Sequence, residues 1–237
     1  MTWVAGVDAC KGGWFVVALD VPSGRTVHAY KKTFAEVLSM RESPRIVAVD
    51  VPIGIPEHAH RGGRACDREA RRIVGARRMS VFSPPVRSAL KAATWSEANA
   101  INQASSPEKV GLARQSWGLV PKTTEVDALL SREVRHRMRA CLPELSFARM
   151  AGRPLTHAKR GVTGIQDRAE LVMAAGFPDP LNLRGSWPSA LVGIDDVLDA
   201  HACCWTAARI FRGEASHLPA DAPPEHDRRG LPMELWY

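Results

Sequence analysis

Nowhere does the chain offer eighteen consecutive apolar residues free of charge, so no segment is built to span a bilayer. The start lacks a basic stretch followed by an apolar one and runs straight into a strand pattern, from which a cytoplasmic protein is expected. The cysteines, at 10, 66, 141, 203 and 204, contain no CxxC pair and are odd in number. That argues against both a zinc site and a secreted disulfide framework, and leaves reduced, mostly buried thiols. Internal repeats and Ser/Gly-rich linkers are missing too. At 237 residues the chain reads as one domain over 1–237, with a mainly helical insertion at about 60–130. Nothing in the sequence reports an oligomeric state.

What is present begins with "WVAGVDACKGGW" (3–14), a buried-strand pattern with a carboxylate, Asp8, near its end. Residues 13–20 and 26–30 read as two further strands joined by the turn "VPSGR", and connections this short require an antiparallel meander. Thr33 caps a helix running to about Met40, and "RIVAVD" (45–50) follows as a strand. A helix between these strands is the crossover that a parallel neighbour of the first strand needs. This fourth strand closes as the first does, on an aspartate, Asp50. Side by side at the carboxyl edge of a parallel pair, Asp8 and Asp50 lie where open α/β sheets bind ligands. Two such carboxylates repel unless a shared proton or a divalent cation lies between them.

Further along, helices are expected over 67–74 and, in two or three pieces, over 95–130, with Pro107 and Pro121 at helix starts. "RHRMRACLPE" reads as a fifth strand ending near Glu144, which makes that acid a further candidate, although "PE" before "LSF" also suits the first turn of a helix. Helices over 145–150 and 164–175 precede the last long one, 196–211. In "GIDDVLDAHACCWTAARIF" Asp195 suits an N-cap, while Asp196 and Asp199 share a face that continues as the apolar stripe Ala200, Cys203, Ala207 and Ile210. Asp8, Asp50, Asp196 and Asp199 together predict an acidic cluster for Mg²⁺ or Mn²⁺, which prefer carboxylate oxygens. Two such ions about 4 Å apart are the apparatus of in-line phosphodiester hydrolysis.

The net charge of +7 is uneven: between Arg61 and Arg87 eight arginines face two acids, a local net of +6. This segment is either a phosphate-binding face or a solvated helix surface.

The strand order, with acids on the first and fourth strands and on a C-terminal helix, resembles the ribonuclease H-like fold: a mixed α/β sheet of about five strands, three antiparallel and then parallel, flanked by helices. "DVLDA" (196–200) resembles the DxxDA of Holliday-junction resolvases of that superfamily. More closely, the chain resembles the DUF429 family of predicted ribonuclease H-like nucleases, through "GVDACKGGW" (6–14), "VDVPIGIP" (49–56) and "CDREARRIVGARRMSVFSPP" (66–85). The likeness continues through "QSW" (115–117), "PKTTEVD" (121–127), "PELSFARMAGRPL" (143–155), "DDVLDA" (195–200) and "MELWY". It implies a metal-dependent nuclease with Asp8, Asp50, Glu144, Asp196 and Asp199 as catalytic acids, acting on nucleic acid or another phosphodiester. The matching stretch makes Arg68, Arg71, Arg72, Arg77 and Arg78 phosphate-binding candidates, with Lys122 of "PK" beside them. Trp14 and Trp117 are either core or base-stacking platforms. One departure stands at Leu142, where the family usually has a histidine. Two other readings keep the fold: a non-catalytic nucleic-acid or phosphate-ligand binder with a structural metal site, and an actin-like phosphotransferase. The latter usually duplicates its domain, and no second copy is present here.

Overall fold

The first strand, β1 (Trp3–Cys10), turns through Lys11 and Gly12 into β2 (Gly13–Asp20), and β3 (Thr26–Lys31) completes an antiparallel meander. In the computed structural model, which describes residues 1–184 and 186–237, α1 (Phe34–Leu38) then crosses to β4 (Ile46–Val49). Thr33 caps α1 by accepting from the Glu36 amide at 3.3 Å. β4 lies parallel to β1, and β5 (Met138–Ala140) parallel to β4, giving the order β3-β2-β1-β4-β5. This mixed α/β sheet is the arrangement expected from the strand pattern. β1 and β2 are buried along nearly their whole length because helices cover both faces of the sheet. Such strands read as apolar runs rather than as alternating ones.

Between β4 and β5 the chain is helical: α2 (Ala65–Val74), 3₁₀ turns at Gly75–Ser80 and Arg87–Lys91, α3 (Trp95–Ala104), α4 (Arg114–Gly118), α5 (Val120–Leu129) and α6 (Arg132–Arg135). Pro121 sits in the first turn of α5, as expected, whereas Pro107 starts no helix. It lies in the turn after α3, where Asn102 of that helix holds the Val110 carbonyl at 2.9 Å.

β5 is shorter than the sequence pattern implied, and Glu144 is not on it. Pro143 initiates α7 (Pro143–Ala151), which puts Glu144 in a helix first turn, where a carboxylate is favoured by the exposed amides. After α7 come α8 (Val162–Ala174), α9 (Pro180–Arg184) and α10 (Ile194–Arg212); a two-stranded ribbon, β6 (His217–Leu218) with β7 (Leu235–Trp236), follows. Among the described residues no helix is long and apolar enough to cross a membrane. All five cysteines are unpaired and buried.

α10 packs directly on β1. Gly6 permits this: a Cβ there would stand 1.9 Å from the Cys204 nitrogen and 2.2 Å from the Ala200 oxygen, both backbone atoms. Helix and strand therefore meet main chain to main chain. A hydroxyl pair, Ser146 with Thr206 at 2.8 Å, ties α7 to the same helix.

Candidate functional site

The parallel register pairs Val7 with Val49, and the Asp50 amide donates to the Val7 carbonyl at 3.0 Å. Asp8 and Asp50 are thus neighbours at the carboxyl edge of the sheet. The first turns of α10 bring Asp196 and Asp199 to the same place, and all four aspartates line one cleft of about 530 Å³ with Glu144. Asp8 and Asp199 are buried, Asp50 and Asp196 half-buried.

Electrostatics follow from this crowding. Burial, then the charges of Asp50 and Asp199, push the Asp8 carboxyl well above the carboxylate range. Asp50 is raised to about 7, by burial first and Asp199 second. Burial also lifts Asp196, to about 6, although its Oδ2 accepts from the Gly193 amide at 2.8 Å. Asp199 is raised by burial against the pull of Lys159. Lys159 is the resident cation: its Nζ lies 2.5 Å from Asp199 Oδ2. Burial alone would depress its ammonium, but Asp199, Asp8 and Asp50 outweigh that and hold it above the usual lysine range.

The loop bearing Lys159 is anchored where it meets α8. A Cβ on Gly164 would stand 2.0 Å from the Ala158 oxygen, so this loop rests on the first turn of α8. Arg168 of α8, fully buried, donates to the Gly164 carbonyl at 2.9 Å and grips both Glu144 oxygens at 2.8 and 3.0 Å. Arg77 Nε also approaches Glu144, 3.4 Å from Oε1. Glu144 thus lines the cleft as the partner of two arginines. Asp195 does not cap α10, because Gly193 occupies that position; its carboxylate pairs with the Arg160 Nε at 2.9 Å.

Of the arginine candidates, only Arg77 lines the acidic cleft. Arg71 reaches the carbonyls of Gly62 and Val81 and the Ser83 hydroxyl, bracing two loops against each other. Arg68, exposed, donates to the Gly63 carbonyl at 2.5 Å, and Arg72 and Arg78 are exposed. Lys122 lies apart from the acids, its ammonium 2.7 Å from the Gly13 carbonyl and 4.4 Å from the Trp14 ring centre. Burial lowers its pKa. Trp14 is fully buried, edge-on to Phe34, and Trp117 packs against the small apolar cluster of α3 and Leu112, so both serve the interior. Leu142 contributes an apolar wall of the cleft.

Sequence reasoning missed Lys159, Arg160 and Arg168. They lie outside any motif, and the signal that pointed to them was indirect: buried acids require a cation, and lysine is scarce here, with seven in the chain. Among the described residues, no three His, Cys, Asp or Glu side chains stand arranged to hold a metal ion as they lie. The donor set nonetheless suits one kind of ion. Four carboxylates are hard oxygen ligands for Mg²⁺ or Mn²⁺, whereas the nearby Cys10 thiol, raised to about 12 chiefly by burial, is a poor soft ligand.

A five-strand mixed sheet with an acidic cleft at the carboxyl edge of its parallel pair defines the class as an α/β protein of ribonuclease H-like arrangement. The chain belongs to the DUF429 family, described as a protein of unknown function, whose family model matches residues 6–224. No curated protein and no solved structure matches the chain.

Proposed function

We propose that this protein hydrolyses phosphodiester bonds of nucleic acid with the help of Mg²⁺ or Mn²⁺. The observation that carries the reading is the gathering of Asp8, Asp50, Asp196 and Asp199 from three separate elements into one cleft, at a cost in carboxylate repulsion that folding alone does not require. These four would hold the metal. When bound, two such ions activate a water and stabilise the leaving oxygen. The protein's own part is to hold the acids aligned at one point, where a cation would draw off their protons, with Lys159 balancing part of their charge until ligands arrive. Arg77, half-buried at the wall of the cleft, offers its remaining N–H groups to a phosphate oxygen.

The arrangement of Asp199 and Lys159 favours a second reading, in which the protein binds phosphate-bearing ligands without turnover, since a buried ammonium already offsets part of the acidic charge.

One experiment separates them. Wild type and Asp8→Asn are incubated with labelled RNA and DNA, with and without Mn²⁺. The nuclease reading expects metal-dependent cleavage by wild type and none by the variant. Equal cleavage by both, or none by either, refutes it.

A further inference from the structure

Beside the acidic cleft lies a second one, of about 330 Å³, with the opposite electrical character. Its walls carry Arg71, Arg78, His58 and His60, with the buried Arg64 already paired to Asp67 at 2.8 Å, and among the described residues no aspartate or glutamate lines it. The two clefts share Arg64, Met79, Val81, Phe82 and Gln115, so they adjoin across one ridge. In the acidic cleft each of Lys159, Arg160 and Arg77 is matched by a carboxylate. In the second, Arg71 spends its N–H groups on carbonyls and a hydroxyl, which leaves its charge unneutralised. Arg78 is exposed and forms no ion pair among the described residues. His58 Nδ1 donates to the Ser105 carbonyl at 3.1 Å, which leaves Nε2 of the neutral ring an acceptor, suited to a base or ribose donor rather than to a phosphate oxygen.

The ridge is apolar and open to solvent: Met79 is 79 % exposed and Phe82 37 %. An aromatic on the lip of a positively charged groove is the combination that binds single-stranded nucleic acid, with the ring taking a base face and the cations taking the backbone. Arg71 makes this groove rigid, because it clamps Gly62 on one wall to Val81 and Ser83 on the other.

We infer that the second cleft is the subsite for the nucleotide next to the scissile bond of a single-stranded substrate: Arg78 takes its phosphate, and Phe82 takes a base. This deepens the nuclease reading and rests on it for the position of the scissile bond. The required substrate has at least one phosphate beyond the one cleaved, and a base free of its duplex partner. A minimal diester would occupy the acidic cleft alone.

The test is binding rather than turnover, so that it stands apart from the activity. Fluorescence anisotropy follows labelled 12-nucleotide single-stranded RNA and DNA, and a blunt duplex of the same sequence, in metal-free buffer over a range of salt, with the full chain and with Arg78→Gln and Phe82→Leu. Both positions are solvent-facing, and thermal melts verify the fold of each variant. The single strand is expected to bind more tightly than the duplex. Arg78→Gln should flatten the slope of log affinity against log salt by about 0.7. Phe82→Leu should weaken single-strand binding by about 5- to 100-fold while leaving that slope unchanged. Unchanged affinity and slope in both variants would overturn the inference, as would equal binding of the blunt duplex or no binding of any oligonucleotide. In those cases, Mn²⁺-dependent hydrolysis of bis(p-nitrophenyl) phosphate by wild type would leave the acidic site's reading intact. Conversely, the predicted dependence on Arg78 and Phe82 without any metal-dependent cleavage would support the strand-binding cleft and refute the nuclease.

Discussion

Replacing Asp50 by asparagine should make the protein more stable in metal-free buffer, and only where the carboxyl would otherwise ionise. Below about pH 4 both folded and unfolded chains hold the proton, and the group has no differential effect. Between that point and the folded value of about 7 the unfolded chain releases its proton while the folded one keeps it. Stability therefore falls as pH rises through this window, and the loss is complete above it. Moving a carboxyl from 3.8 to about 7 corresponds to about 4 kcal/mol. Asp50 is half-buried at a cleft open to water, and screening reduces this to about 2 kcal/mol. For a chain of this length that is a difference of about 4–8 °C in Tm. The assay is thermal melting of wild type and Asp50→Asn from pH 5 to 8. Any constant offset from the amide itself cancels in the pH dependence. The gap should widen in favour of the variant as pH rises, and millimolar Mg²⁺ should narrow it at pH 8 by stabilising the ionised wild type. A gap that stays flat from pH 5 to 8 would refute the electrostatic account of this cleft.

Lys159→Met removes the ammonium that competes with a metal for Asp199, and calorimetric titration should show Mn²⁺ binding tightened on the order of tenfold, as one positive charge about 5 Å from a divalent ion implies in a wet cleft. Glu144→Gln leaves the fully buried Arg168 without its carboxylate, which should cost about 3–5 kcal/mol in urea denaturation. Gly6→Ala forces a methyl into the backbone of α10 and should cost more than about 3 kcal/mol or prevent soluble expression; a stable Gly6→Ala protein would contradict the observed approach of helix and strand.

The legible parts of the fold were those governed by local chemistry. Short turns required the meander, a helix between β3 and β4 required a parallel crossover, and Thr33 capped its helix as its side chain allows. That register alone places Asp8 and Asp50 together. Glu144 was harder, because Pro143 followed by an acid fits both a strand end and a helix start, and helix chemistry prevailed. Asp195 lost the capping position to Gly193 because α10 begins at Ile194, two residues before the start that Asp195 could cap. The arginine-rich segment showed its charge but not its division of labour. Arg64 closes on Asp67, Arg71 braces loops, and Arg77 and Arg78 face different clefts. Arg64 and Asp67 are three positions apart, but partners nine or more away, such as Gly62, Val81 and Ser83 for Arg71, leave no mark on spacing. Lys159 was hidden for the same reason, its neighbour Asp199 lying forty positions away.

The main-chain contact at Gly6 has a consequence for motion. Asp8 and the acids of α10 are fixed to two backbones that touch without intervening side chains, so they move as one body, while Lys159 rides on a loop held by Gly164 and Arg168. Rearrangement on ligand entry then falls on the loop half of the site. In hydrogen exchange, amides of β1 and of the middle of α10 should be among the last to open, and those of residues 156–161 among the first. The acids form a fixed anvil, and the lysine stands on the half expected to yield.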